Sequence, residues 1–245
     1  GRPEAERGGV DHPRAKSGLH GFAIVLILVL VSVAFQVAAP DTDWSRFVTI
    51  ALGAAILLVS TWAAQARRRL VRGAALVTVL LALLALVVLV ATGKVPSATA
   101  ALVNGLLVAF APAVLAAGLV RDIRAEGAVT LPTLAGVLAI YLLVGMLFSF
   151  LQGATAAIET QPFFSEVSDP GRSDFLYFSY ITLSTTGYGD LAPATDVGRM
   201  LAVTESLLGQ IYLVTVVALI VANLRPGAGG RAGSQPPSRA GTRSR

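Results

Sequence analysis

Long apolar runs alternate with short polar connections along most of this chain. Six of these runs, Phe22 to Ala39, Phe47 to Ala66, Val71 to Ala91, Ser97 to Val120, Leu131 to Leu151 and Val197 to Leu224, approach or exceed the length of a bilayer crossing. The hydrocarbon core is about 30 Å thick and takes roughly 20 helical residues to span. Helices are predicted because hydrocarbon offers backbone groups no partners, and barrel strands would show a two-residue period in segments of about ten.

Between the fifth and sixth runs, Gly153 to Asp196 breaks the pattern: it is too polar for a crossing and too long for a plain loop. Within it, the aromatic-rich stretch SDFLYFSYITLST predicts a short helix over 174–184, started by Ser173 or Asp174 as cap. About eleven residues reach only about 16 Å, half the membrane, so the element is re-entrant. The chain then turns at Thr185 to Gly189. Glycines flanking a tyrosine there point to backbone in an unusual conformation, tolerated at membrane depth only beside protein or a watery cavity.

Composition agrees: 55% of the 245 residues are hydrophobic, 13% are charged, and mean hydropathy is +0.73. With no cysteine, disulfides and thiolate metal sites are excluded. The histidines, His12 and His20, belong to a polar arm. Basic residues favour alternate connections, with Arg67, Arg68, Arg69 and Arg72 after the second run and Arg225, Arg231, Arg239, Arg243 and Arg245 in an acid-free tail. The positive-inside rule puts both, and both termini, on the cytoplasmic side of a multi-pass cell-membrane protein. A basic lipid-facing flank accounts for the pI near 10.1 without nucleic acid.

Thr185-Thr186-Gly187-Tyr188-Gly189-Asp190 resembles the selectivity filter of potassium channels, and the segment LAPATDVGRMLAVTESLLGQIYLVTVVALIVANL resembles their inner helix. The likeness covers about Leu131 to Leu224; the preceding runs match six-helix channels only in number. It implies an all-α integral membrane fold, six transmembrane helices plus a re-entrant pore half-helix, assembled as a homotetramer in membrane lipid. The domains expected are a flexible arm over 1–20, a four-helix unit over 21–125, a pore domain over 126–225 and a flexible basic tail over 226–245. Within the pore domain the outer helix covers 131–151, the pore helix 174–184, the filter 185–190 and the inner helix 197–224.

The resemblance further implies that carbonyls of Thr185, Thr186, Gly187 and Tyr188, with the Thr185 hydroxyl, replace the water around K+, the permeant ion. Potassium channels are the best-known case of such carbonyl rings. Gly189 and Asp190 complete the motif. Thr186 departs from the valine or isoleucine commonest at its place, which implies altered filter stability rather than lost selectivity. No organic cofactor, nucleic-acid partner, small-molecule substrate or covalent catalysis is implied.

Between Gly153 and Arg199 six acids face two bases, a balance that concentrates cations at a pore mouth. Glu205 lies inside the sixth run, about 12 Å deep, with Gln210 beyond it. It supports the filter from behind, senses protons, or is a neutral hydrogen-bonded structural acid. Gly209 stands where the family commonly has a gating hinge, and close packing on the half-helix is the other reading. Ser97 to Val120, the fourth run, holds no arginine or lysine, so weak voltage dependence at most is expected. The rival readings are a potassium transporter subunit, a non-selective cation channel and a non-conducting scaffold.

Overall fold

The computed structural model describes residues 13–64, 97–126 and 130–223, with isolated positions between 69 and 87. Its labelled helices are α1 (Pro13–Ala38), α2 (Asp43–Ala63), α3 (Ser97–Glu126), α4 (Leu131–Ile158), α5 (Arg172–Leu183) and α6 (Asp196–Asn223). The expected helix Val71 to Ala91 lies mostly outside the described residues, as do residues 1–12 and the tail from 224. Five of these helices, all but α5, are long and apolar enough to cross a membrane.

Local chemistry sets the boundaries. Thr42 and Ser45 form a reciprocal cap at the start of α2, and Thr130 and Thr133 repeat it at α4. Each hydroxyl occupies a backbone N–H that the first helical turn leaves without a partner. On α2, Trp44 and Trp62 are both exposed. Eighteen residues apart, they are separated by about 27 Å along the axis, the spacing at which amphipathic rings mark two membrane interfaces.

Several expected boundaries move, among them α2, which covers Asp43–Ala63, and the end of α3, which runs on to Glu126. α1 starts at Pro13, inside the segment read as a flexible arm, where a proline's fixed φ suits the first helical position. α4 runs on through Ala154-Thr155-Ala156-Ala157 to Ile158 and stops where Glu159 turns extended (ψ 147°). The short helix begins at Arg172, not 174, because Gly171 is its cap and Asp174 reaches back to the Gly171 N–H at 2.8 Å. Neither Ser173 nor Asp174 is the cap residue.

The helices α1 to α4 pack around one apolar core that includes Val25, Val29, Ile56, Leu57, Leu107, Leu115, Leu143 and Met146. Small residues set the closest approaches. A Cβ on Gly118 of α3 would lie 2.7 Å from Ala64 Cβ, as would one on Gly21 of α1 from Ala63 Cβ, so three helices meet there nearly backbone to backbone. Arg121 then donates from Nη2 to the Ala64 carbonyl at 2.6 Å, closing an acceptor at the α2 C-terminus.

α5 sits against α4, α6 and α1. A second, aromatic cluster of Phe163, Phe164, Phe175 and Phe178 covers it. α6 packs only on α4 and α5 among the described elements. Its remaining face exposes Met200, Val203, Leu207, Ile211 and Val214, an apolar strip that water would not tolerate over such a length.

Candidate functional site

The backbone after α5 holds the features that single out this region. Thr185, Gly187 and Gly189 have φ of 56°, 50° and 81°, whereas Thr186 and Tyr188 between them do not fall in the positive region. A Cβ on either glycine would meet only open space, so the dihedral and not crowding selects glycine there. Thr185 is β-branched and is the sole positive-φ non-glycine among the described residues. That conformation costs about 1–2 kcal/mol for an L-residue, and such strain persists where function requires a particular backbone course.

Alternation of handedness from residue to residue gathers N–H groups on one side of the chain and leaves the carbonyls on the other. The hydrogen bonds follow this division. Thr186 and Gly187 both donate their N–H to the Ile181 carbonyl, at 2.8 and 3.1 Å, and Thr185 donates to Thr182 at 3.0 Å. The carbonyls of Thr185 to Tyr188 accept no hydrogen bond from the described residues. All of Thr185 to Gly189 is exposed in the single chain.

Side chains brace this strand from both ends. Thr186 Oγ1 shares a hydrogen bond of 2.8 Å with Ser184 Oγ, a bond that valine could not make. At the far end the Tyr177 hydroxyl donates to Asp190 Oδ2 at 2.8 Å, tying α5 to the residue after the last glycine. An antiparallel bridge between Phe164 and Pro193, with Ala194 N–H on the Phe163 carbonyl at 2.8 Å, fastens the returning chain to the aromatic cluster.

Behind the strand lies a buried polar network. Glu205 on α6 is fully buried; its carboxyl meets Ser179 Oγ of α5 and accepts from Gln152 Nε2 of α4 at 2.8 Å. Ser179 Oγ also reaches the Gly145 carbonyl at 2.6 Å. One hydroxyl hydrogen cannot serve two acceptors, so both contacts of Ser179 Oγ are hydrogen bonds when Glu205 carries a proton and donates to Ser179. Four residues from three helices, Gly145, Gln152, Ser179 and Glu205, are thereby held in one place, at a depth where an unpaired polar group costs most.

Gly209 lies one turn further along α6, against the last turn of α5. Its absent Cβ would fall 2.1 Å from the Leu183 carbonyl oxygen. The contact supplies a packing reason for this glycine. Gln210, its neighbour, is exposed.

Sequence reasoning had singled out Glu205 but not its partners Gln152 and Ser179. A serine in an otherwise aromatic half-helix was the available signal. It also missed Arg172, whose guanidinium crosses to the N-terminal helices: Nη1 donates to Thr49 Oγ1 at 3.0 Å, and Nη2 to the Ala39 carbonyl at 3.3 Å and Ser45 Oγ at 3.4 Å. Burial pulls Arg172 below its ordinary pKa, an effect that Asp41 opposes. No group of metal-ligating His, Cys, Asp or Glu side chains forms among the described residues.

Comparison with known proteins bears on the same half of the chain. Residues 136–225, from within α4 to just past α6, match the family model described as ion channel. Proteins of Rhodopseudomonas palustris and Methanocaldococcus jannaschii that carry potassium channel names are 46% and 48% identical over 47 and 46 residues, or 19% and 18% of this chain. The two-pore potassium channel 5 of Arabidopsis thaliana is 34% identical over 85 residues, 34% of this chain. The chain spans only 11%, 13% and 19% of the length of these relatives. The family match is confined to the segment from α4 to just past α6, and α1 to α3 lie outside it.

Proposed function

We propose that the chain is one subunit of a potassium-selective channel, with four copies placing Thr185 to Gly189 around a common axis. The observation that carries this reading is the left-handed backbone at Thr185, Gly187 and Gly189, alternating with Thr186 and Tyr188 and leaving their carbonyls without partners. Carbonyl rings of this kind take the place of the hydration shell of a K+ ion. The ion-channel match over residues 136–225 supports it. K+ is the permeant ion, carried passively, and no covalent chemistry follows from such a site.

The surroundings suit a cation path. α5 is 12 residues long, about 18 Å. Its C-terminal end faces the filter strand, and the partial negative charge of a helix C-terminus favours a cation nearby. The exposed apolar strip on α6 is the face available to neighbouring copies. With its termini cytoplasmic, as the basic connections require, the acids between Glu159 and Asp196 lie at the outer mouth. Asp190 and Glu205 support the filter. Bending at Gly209 belongs to this proposal too, although its packing already accounts for the glycine. Weak voltage dependence follows from α3, which holds no basic residue before Arg121.

The test is K+ against Na+ flux in liposomes containing the purified chain, with Gly187→Ala and Tyr188→Asp as controls. Selective K+ flux lost in both variants is the expected result. Equal flux of the two ions would leave a non-selective channel, slow saturable flux a transporter subunit, and no flux a scaffold.

A further inference from the structure

Arg172 opens α5 with its charge at the unfavourable end of that helix. A helix N-terminus carries partial positive charge and favours anions; in the first turn of α5 that role falls to Asp174. α1 has the opposite shortage. Its last turn contains no basic residue, although the carbonyls at a helix C-terminus lack partners and attract cations. Arg172 fills that place from 133 residues away, donating from Nη2 to the Ala39 carbonyl at 3.3 Å.

The start of α2 completes the socket. Ser45 Oγ donates to the Thr42 carbonyl at 2.9 Å, and Thr49 Oγ1 donates to the Ser45 carbonyl at 2.8 Å. With each hydroxyl hydrogen committed, both oxygens meet the guanidinium as acceptors, and a guanidinium is a donor only. Arg172 Nη2 reaches Ser45 Oγ at 3.4 Å and Nη1 reaches Thr49 Oγ1 at 3.0 Å. α2 and α5 do not pack directly on each other, so this side chain bridges them. Thr49 is only 2% exposed, and a planar fork seated on fixed acceptors at that depth has little freedom to shift.

α5 carries a displacement of its first residue to its last. Part-way along, Ser179 Oγ rests on the Gly145 carbonyl of α4 at 2.6 Å. At the last turn, the Ile181 and Thr182 carbonyls hold three successive amides, those of Thr185, Thr186 and Gly187. Arg172 lies about 10 Å to one side of Ser179 and Leu183 about 6 Å to the other. A helix pivoting at Ser179 therefore turns 1 Å of movement at Arg172 into about 0.6 Å at the strand, and ligand constellations must be held within about 0.5 Å to work.

We propose that Arg172 is a positioning residue through which the α1–α2 junction sets the placement of α5, and with it the ion preference of the Thr185–Gly189 strand. This rests on the channel reading above. It gives the N-terminal helices, which lie outside the ion-channel match, a task in permeation: they hold the half-helix at the end remote from the strand.

The experiment is a double-mutant cycle on the full chain in liposomes, reading the K+/Na+ flux ratio, the thermal transition and the hydrogen exchange of residues 181–190. Arg172→Gln removes the fork, and Thr49→Val removes an acceptor outside the ion-channel match while keeping the shape. Each should lower the flux ratio by about tenfold, and the double variant should fall no further, as for two residues sharing one bond. Thr61→Val is the control. Its equally buried hydroxyl donates to the Leu58 carbonyl within α2 at 2.7 Å, so it should lower the thermal transition about as Thr49→Val does and keep the parent's flux ratio. A parent ratio in Arg172→Gln or Thr49→Val, losses that multiply in the double variant, or an equal loss in Thr61→Val would each overturn the proposal. Faster exchange of the Thr185 to Gly187 amides is expected in Arg172→Gln and Thr49→Val but not in Thr61→Val, whether or not the parent selects K+. A parent without K+ preference would thus defeat the channel reading and leave the bridge to be judged by exchange alone, where rates equal to the parent's would overturn it.

Discussion

The α-carbon of Gly209 faces the carbonyl oxygen of Leu183 so closely that an added Cβ would lie 2.1 Å from it. The obstacle is backbone at the end of α5, so no side-chain rotation relieves it. Gly209→Ala must push α6 away from the half-helix. Overpacking of this kind costs about 1–3 kcal/mol, here at the junction that positions the Thr185–Gly189 strand of the proposed filter. We expect a lowered thermal transition together with lost K+ flux. An alanine variant with the parent's stability and flux would show that the two helices are not held at this distance.

The buried network gives a sharper pair of substitutions. Glu205→Gln keeps shape and both hydrogen-bonding functions: an amide N–H donates to Ser179, and the amide oxygen accepts from Gln152. Glu205→Leu strands the Gln152 amide N–H and leaves Ser179 only its bond to the Gly145 carbonyl, and a buried group left unsatisfied costs about 1–3 kcal/mol. The glutamine variant should therefore stay close to the parent in stability and flux, while the leucine variant falls well below it. If the glutamine variant were as damaged as leucine, a charged Glu205 would be required, contrary to the proton count around Ser179.

Much of this site was legible in the sequence, for a physical reason. The Gly-Tyr-Gly spacing constrains the backbone directly, and a half-length aromatic run cannot cross a bilayer. The apolar runs likewise mark α1, α2, α3, α4 and α6 because length in hydrocarbon is itself the signal. Contacts between distant segments were not legible. Nothing local announces that Arg172 reaches Thr49, that Phe163 and Phe164 cover α5, or that Ser179 meets Glu205. Helix ends shifted where a backbone cap decided them, as at Gly171, a glycine without a capping side chain.

The hydroxyl of Tyr177 and the carboxylate of Asp190 tie the far end of the Thr185–Gly189 strand, the proposed filter, to α5. Tyr177 is 39% exposed in the single chain, so its removal should act on the local conformation more than on global folding. Tyr177→Phe is expected to leave the thermal transition nearly unchanged while K+ flux decays faster after exposure to low K+. Asp190→Asn retains an acceptor and should show a milder form of the same decay. Identical decay in parent and Tyr177→Phe would remove this bond from the account of filter support.

The basic residues of α3 argue for one more measurement. Sensing a membrane potential requires charge inside the field, each elementary charge contributing about 2.3 kcal/mol per 100 mV, and α3 has no arginine or lysine from Ser97 to Val120. Arg121, toward its C-terminal end, is committed to the Ala64 carbonyl at 2.6 Å and to Asp122 at 3.5 Å. Its work is to close the end of α2, a structural task. Arg121→Gln should lower the thermal transition by an amount corresponding to about 1–3 kcal/mol, the usual cost of removing a charge-assisted hydrogen bond, while leaving the current-voltage relation of reconstituted protein unchanged and shallow. A steep relation in the parent, flattened by neutralising Arg121 and Arg124, would instead make the end of α3 a voltage sensor.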